Sequence, residues 1–278
     1  MSYANPDTNT SKNYSECSGC GVCSLVCPVW TQSRDISLTL WGRAKAVQGG
    51  AHAEDIRDSL EACVSCGACE VVCPELISAH TTDNTYRSEL GIFTPDETKL
   101  SLQNLAYDFF PTPELQNERE FINKLNRLFA KYAQKNEVIT NSPEWQKKLM
   151  ATKCDKSTFG IGEWLLNKGL LEKNIQENDF YWMDAALFHA KYNELVKKYN
   201  TLQIKTNCHF NWNLNRTAMP LGAENAFYKR EEQFQWTVFN KNINRIIVEN
   251  INDWLWLKEK KDFKVFHILE IISEKAGT

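Results

Sequence analysis

The stretch ECSGCGVCSLVCPVW, Glu16–Trp30, holds four cysteines within eleven residues and closes on Cys-Pro. A near copy, ACVSCGACEVVCPEL, runs from Ala62 to Leu76. Both follow C-x2-C-x2-C-x3-C-P: Cys17, Cys20, Cys23, Cys27 and Pro28 in the first, Cys63, Cys66, Cys69, Cys73 and Pro74 in the second. Ten cysteines in a chain of 278 residues could form a disulfide scaffold. Eight of them, however, sit at two- and three-residue gaps in a chain whose N-terminus, MSYANPDTNTSKNYSE, lacks the apolar centre of an export signal. That arrangement favours metal.

The run is the ferredoxin-type pattern for [4Fe–4S] ligation. Three thiolates spaced by two residues lie on a short loop wrapped around one corner of the cubane. Gly19, Gly21 and Gly67 let the backbone come close to the inorganic sulfides. The fourth cysteine of each run opens away, and in two-cluster ferredoxins it ligates the other cluster. Cys17, Cys20, Cys23 and Cys73 are therefore expected to form one set, and Cys63, Cys66, Cys69 and Cys27 the other. Two tetrahedral zinc sites are the alternative. Zinc usually takes paired C-x2-C units well separated in sequence, whereas here four ligands fall in one run, twice, with proline after each. The expected cofactors are two [4Fe–4S] clusters.

The 35 residues from Pro28 to Ala62 are long for the short hairpins of a β-rich ferredoxin. DISLTLWGRAKAVQGG places Ile36, Leu40, Ala44 and Val47 on one helical face, and Gly49-Gly50 stops it. HAEDIRDSLEACV reads as a second helix that aligns Ile56, Leu60 and Val64. The cysteine runs then sit at helix ends, as in an α-helical ferredoxin domain.

Residues 14–90 resemble the iron–sulfur segment of heterodisulfide-reductase-like subunits. That family includes heterodisulfide reductase subunits C and D, the glycolate oxidase iron–sulfur subunit and the anaerobic glycerol-3-phosphate dehydrogenase C subunit. CSGCGVCSLVCPVW, WGRAKAV and CVSCGACEVVCP carry the likeness. Arg43 falls where the family often has an arginine, although a helix-face arginine is ordinarily a solvated one. The same double motif occurs in succinate dehydrogenase, so it specifies the cofactor strongly and the pathway weakly. The resemblance implies a C-terminal α/β frame with Cys-Cys-Gly and C-x2-C ligands. This chain keeps only Cys154 and Cys208 there and has no Cys-Cys pair, so that region reads as a degenerate copy.

The rest of the chain supports a mainly α fold. PTPELQNEREFINKLNRLFAKYA reads as one amphipathic helix, with Leu115, Ile122, Leu125, Phe129 and Tyr132 on one side and Pro113 in its first turn. Further helices start at Ser142-Pro143 and in GIGEWLLNKGLLEK, where Gly169 ends or bends the helix. IKTNCHFNWNL from Ile204 overlays IVENINDWLWL from Ile247, matching Asn207 with Asn250 and Leu214 with Leu257. Each follows a helical stretch, at 183–199 and 226–241, and the repeat would be helix, short strand, helix. DFKVFHILEIIS adds a strand at Phe263–Phe266 and a last helix. Alternation of this kind suggests a small α/β layer with parallel pairing. The expected organisation is an α-helical ferredoxin domain at 1–95, a helical linker at 96–150 and a degenerate α/β domain at 151–278.

The formal charge of −3, with Lys and Arg spread along the chain, gives no cue for nucleic acid. No apolar run approaches the roughly 18 residues of a membrane span. A cytoplasmic protein is expected, with peripheral membrane association only through a partner. There is no G-x-G-x-x-G, Walker loop or G-x-S-x-G. His189 and His267 read as structural, and adjacent Cys208 and His209 as the better but still weak metal pair. Trp30 and Trp41 are expected to shield the clusters. These features point to single-electron transfer as a subunit working with a flavoprotein dehydrogenase, or with a membrane or quinone-reactive subunit. A disulfide or quinone reductase acting near Cys208, and a structural or sensing iron–sulfur protein, are the competing expectations.

Overall fold

The computed structural model describes residues 12–92, 107–151, 157–213, 216–221 and 230–272. Within them the first cysteine run breaks into pieces. Gly21, at φ 75°, caps α1 (Val22–Leu25), so Cys23 rides on a helical turn. Cys27 is extended, and Pro28 opens α2 (Pro28–Ser33), where its missing N–H is not needed. A 3-10 turn at Ile36–Leu38 precedes α3 (Leu40–Gln48). The Thr39 hydroxyl caps α3 by accepting from the Gly42 N–H at 3.2 Å. A side chain at Gly42 could not fit, because a Cβ there would lie 2.3 Å from the Ile36 carbonyl oxygen. A second 3-10 turn, Ala53–Ile56, leads into α4 (Arg57–Ala62). Gly67, at φ 77°, caps α5 (Ala68–Val72), Cys73 is extended in its turn, and α6 (Ala79–Glu89) follows.

Two helices are shorter than the periodicity implies. The break at Thr39 puts Ile36 on a separate turn, 37% exposed, while Leu40 and Ala44 are buried. The helix before the second run stops at Ala62 because Cys63 is extended, which leaves Val64 outside it.

The larger correction concerns Arg43. Expected on a solvated helix face, it is 2% exposed. Its Nε lies 2.9 Å from Asp83 Oδ1, and its Nη1 donates to the Ser59 carbonyl and hydroxyl at 3.1 Å. Its Nε also donates to the Tyr14 hydroxyl, which in turn donates to Asp83. Buried polar groups on three other segments compensate the guanidinium, so this face of α3 can turn inward. Tyr14, Leu40, Ala44, Ile77 and Ala79 form the apolar core beside it.

By contact density the chain divides into two units: Met1–Lys99 with Trp212–Thr237, and Leu100–Asn211 with Val238–Thr278. The returning segment of the first unit is tied by a 2.7 Å bond from Gln32 Nε2 to Gln233 Oε1.

The second unit opens with β1 (Tyr107–Phe110), α7 (Pro113–Asn117), α8 (Arg119–Tyr132), β2 (Glu137–Thr140), α9 (Pro143–Ala151), β3 (Ser157–Gly160) and α10 (Ile161–Asn167). The strands pair in parallel in the order β1-β2-β3. Two strands therefore lie in the stretch expected as a helical linker, because Val138 and Ile139 are fully buried in β2. The expected single helix at 111–133 is two, broken at Glu118. Next come β4 (Asp179–Trp182), α11 (Ala185–Ala190), α12 (Tyr192–Thr206) and β5 (His209–Phe210); after α13 (Arg230–Val238), which belongs to the first unit up to Thr237, follow β6 (Arg245–Val248), α14 (Ile251–Leu257), β7 (Val265–His267) and α15 (Ile268–Ile271). These strands make a second all-parallel sheet in the order β5-β4-β6-β7.

The internal echo does not survive as a structural repeat. Ile204 lies in α12 and is 76% exposed, whereas Ile247 lies fully buried in β6. Asn207 ends a helix in the left-handed region, while Asn250 begins one. Leu214 lies outside the described residues. What does recur is a strand followed by an Asx-capped helix. Asp184 caps α11 and Asn250 caps α14, and the two side chains bond each other at 2.8 Å.

Beside these caps lies Glu249, whose carboxylate accepts from the Tyr181 and Tyr199 hydroxyls and from the Asp184 N–H. Only glycine fits at 162, since a Cβ there would lie 1.9 Å from Glu249 Oε1. Burial pushes the Glu249 carboxyl up from 4.5 to about 7, against the pull of the tyrosine hydroxyls. Folding therefore favours its protonated form. Its contribution to stability is fully present below pH 4.5 and is lost as pH rises through about 7. Buried His267, held down to about 3 by desolvation, acts in the opposite sense between pH 3 and 6.5. Relative to Glu249→Gln, the wild-type protein should gain up to about 3 kcal/mol in urea melts as pH falls from neutral into the carboxylate range. A constant difference between the two proteins would refute this assignment.

Candidate metal centre

The cysteines are brought together across the two runs. Cys17, Cys20 and Cys23 share a cavity with Cys73, walled by Leu40, Trp41, Ala44 and Ile77. Cys63, Cys66 and Cys69 share another with Cys27, bordered by Val29, Leu38, Leu40, Arg43 and Asp83. The local cause is the same in each run. A left-handed glycine starts a short helix carrying the third cysteine, and the extended fourth cysteine then departs from it.

The electrostatics show which thiols face one another. Burial first, then the charges of Cys73, Cys17 and Cys20, push the Cys23 thiol up to about 12. Burial pushes Cys66 up to about 12 as well, with Cys63 and Cys27 adding to it against an opposing backbone N–H. Cys69 is raised well above its usual range by burial, then by Glu70 and Cys66. Burial also raises Cys27, and Cys63 adds to that, while the Trp30 N–H and Arg43 pull it down. Four thiols crowded in one apolar pocket oppose each other's ionisation. A cationic centre reverses that balance and makes thiolates of them. Four soft donors per cavity, and loop glycines that let backbone approach, fit a [4Fe–4S] group in each.

Several supporting residues carry no signal in the cysteine pattern. Trp41 Nε1 donates to the Gly19 carbonyl at 3.0 Å, and Gln48 Nε2 to that of Cys17 at 2.8 Å. Arg87 donates to the Cys63 carbonyl at 2.9 Å and the Ser65 hydroxyl at 2.8 Å. Asp83 and Arg87 stand one turn apart on α6, the only hint that one face of this polar helix turns inward. Trp41 lines the first cavity, whereas Trp30 carries the Arg34 guanidinium 5.7 Å above its ring.

Residues 13–77 match the 4Fe-4S dicluster domain family. No curated protein and no solved structure matches the chain. The matched dicluster segment spans both cysteine runs and marks the chain as an iron–sulfur protein of the [4Fe–4S] kind.

The other candidates do not assemble into a site. Cys208 is 2% exposed, and burial pushes its thiol up to about 11. Desolvation, then the Lys241 charge, lower the neighbouring His209. His267 caps α15 and stacks on Phe121 at 4.6 Å, and buried His189 packs its ring edge-on to Phe188. Among the described residues of either unit, no three His, Cys, Asp or Glu side chains converge as ligands of a single metal ion. Cys154 lies outside the described residues. Cys208→Ser should therefore keep the iron content and visible absorption of the anaerobically purified protein. Loss of either would place Cys208 among the ligands.

Proposed function

We propose that the protein relays single electrons through two [4Fe–4S] clusters, one on Cys17, Cys20, Cys23 and Cys73, the other on Cys63, Cys66, Cys69 and Cys27. The observation that carries this reading is the crossing of Cys27 and Cys73 into the opposite cavities. Leu40 lines both cavities, so a single side chain borders the two sites. That spacing suits transfer between them without a further carrier.

The relay is read as one subunit of a redox complex. Its partners would be a flavoprotein dehydrogenase on one side and a quinone-reactive, membrane or thiol–disulfide component on the other. The resemblance to heterodisulfide-reductase-like subunits supports that setting. Cys20 is exposed, and Val22 and Leu25 beside it are 39% and 68% exposed, an apolar surface next to a cluster ligand that suits docking. No helix of the described residues is long and apolar enough to cross a membrane. On this reading the second unit positions partners, and among its described residues no ligand set converges on a metal ion.

Anaerobically purified protein should show reversible EPR signals on reduction. Cys27→Ser and Cys73→Ser should each lower the iron content by about half, because each serine weakens a site whose other three ligands lie in the other run. Absence of a reversible signal would remove the electron-transfer reading. Native isolation should also recover a flavin-containing or quinone-reactive subunit, and recovery of this chain alone would remove the partner assignment.

A further inference from the structure

The two cavities differ in their charge. The wall of the Cys17, Cys20, Cys23 and Cys73 cavity has one charged residue, Glu75, 36% exposed beside Lys12, while outside that wall the Lys45 ammonium lies over Gly19 and donates to Gln48 in an exposed hydrogen bond. The wall of the Cys27, Cys63, Cys66 and Cys69 cavity holds Arg43 and Asp83, at 2% and 4% side-chain exposure. Glu70 and His80 also border it, and the Glu70 carboxylate accepts from the His80 backbone N–H at 2.7 Å.

Arg43 and Asp83 form a two-point pair, Nε to Oδ1 and Nη2 to Oδ2, both at 2.9 Å. Asp83 Oδ2 lies 3.8 Å from Cys63 Sγ. A buried ion pair is no more stabilising than well-packed apolar side chains of similar volume. Its place at one cavity and not the other gives it an electrostatic consequence that packing alone would not. Charges act strongly through a poorly solvated interior, and reduction of a cluster adds one negative charge beside them. A nearby cation favours the reduced form, and a nearby anion opposes it.

We propose that the Arg43–Asp83 pair tunes the reduction potential of the cluster held by Cys27, Cys63, Cys66 and Cys69, and so makes the two clusters unequal. This rests on the two-cluster relay reading above. The pair acts through the cavity wall and takes no electron itself, so Arg43 and Asp83 are positioning residues. An inequality of this kind gives the relay a resting place for the electron and a direction.

The test is an EPR-monitored redox titration of the full chain, purified anaerobically, with iron content measured on each variant. Asp83→Asn removes the anion and keeps the cation, so one midpoint should rise while the other stays in place. Arg43→Gln removes the cation, so the same midpoint should fall. Arg43→Lys keeps the charge and should stay near the wild-type value, and Arg43→Gln with Asp83→Asn should lie between the two single variants. Arg43→Gln leaves a buried carboxylate unpaired and is the variant most exposed to misfolding. Asp83→Asn decides the matter by itself, because a purely structural role would not raise one midpoint selectively. Midpoints that do not move, that move together, or that shift in the same direction in both single variants would overturn the inference and leave the relay standing. A wild-type protein without two reversible midpoints would overturn the relay reading and the inference with it.

Discussion

Each cysteine run supplies three sulfurs to one cavity and a fourth to the other. That crossing is the constraint on which the N-terminal unit depends. The two runs must lie side by side, so the chain between them has to leave the first cavity and return to the second. It does so through α3 and α4, with Leu40 at the border of both cavities. The crossing also creates an electrostatic problem. Thiols packed this closely in an apolar setting resist ionisation, as the raised Cys23 and Cys66 show. A bound cationic centre relieves that cost, so cofactor binding and the folding of this unit are coupled.

Around the cavities the unit is held by buried polar groups as much as by its small apolar core. Arg43 joins α3 to Tyr14 near the start of the described chain, to Ser59 on α4 and to Asp83 on α6. Gln48, Trp41 and Arg87 grip the carbonyls of the cysteine loops. Breaking one member of such a network strands a charge or a donor without water, which costs about 3–5 kcal/mol for a buried pair. The same groups keep the loops rigid, and a rigid site has little reorganisation to undergo when its charge changes.

The second unit is built on a different plan. It holds two parallel sheets; in the second, Asp184 and Asn250 start the helices after β4 and β6, and the buried Glu249 joins β6 to the tyrosines of β4 and α12. This is an α/β frame whose central polar group is a carboxyl with phenol partners rather than a thiol cluster. Its lone described cysteine, Cys208, is buried, and desolvation raises its thiol against a hydrogen bond with the Thr206 side chain, which suits packing more than chemistry.

The amino-acid sequence by itself determined the short-range chemistry. Ligand type, the loop glycines, Pro28 at a helix start and the end of α3 at Gly49 depend on residues within a few positions of each other, and all are legible in the spacing. The parallel character of the last sheet, β5-β4-β6-β7, was legible too, from alternating helices and short apolar runs. Other features were decided only by the tertiary structure. Arg43 shares a helical face with Leu40, Ala44 and Val47, yet residue type alone says solvent; it is buried because Asp83, 40 residues away, and Tyr14, 29 away, meet its charge there. Strands β1 and β2 are four residues long, too short for a period to separate them from helix. The likeness of Ile204 to Ile247 was one of letters, since burial within a sheet, which no local pattern encodes, put one in a strand and left the other on a helix surface.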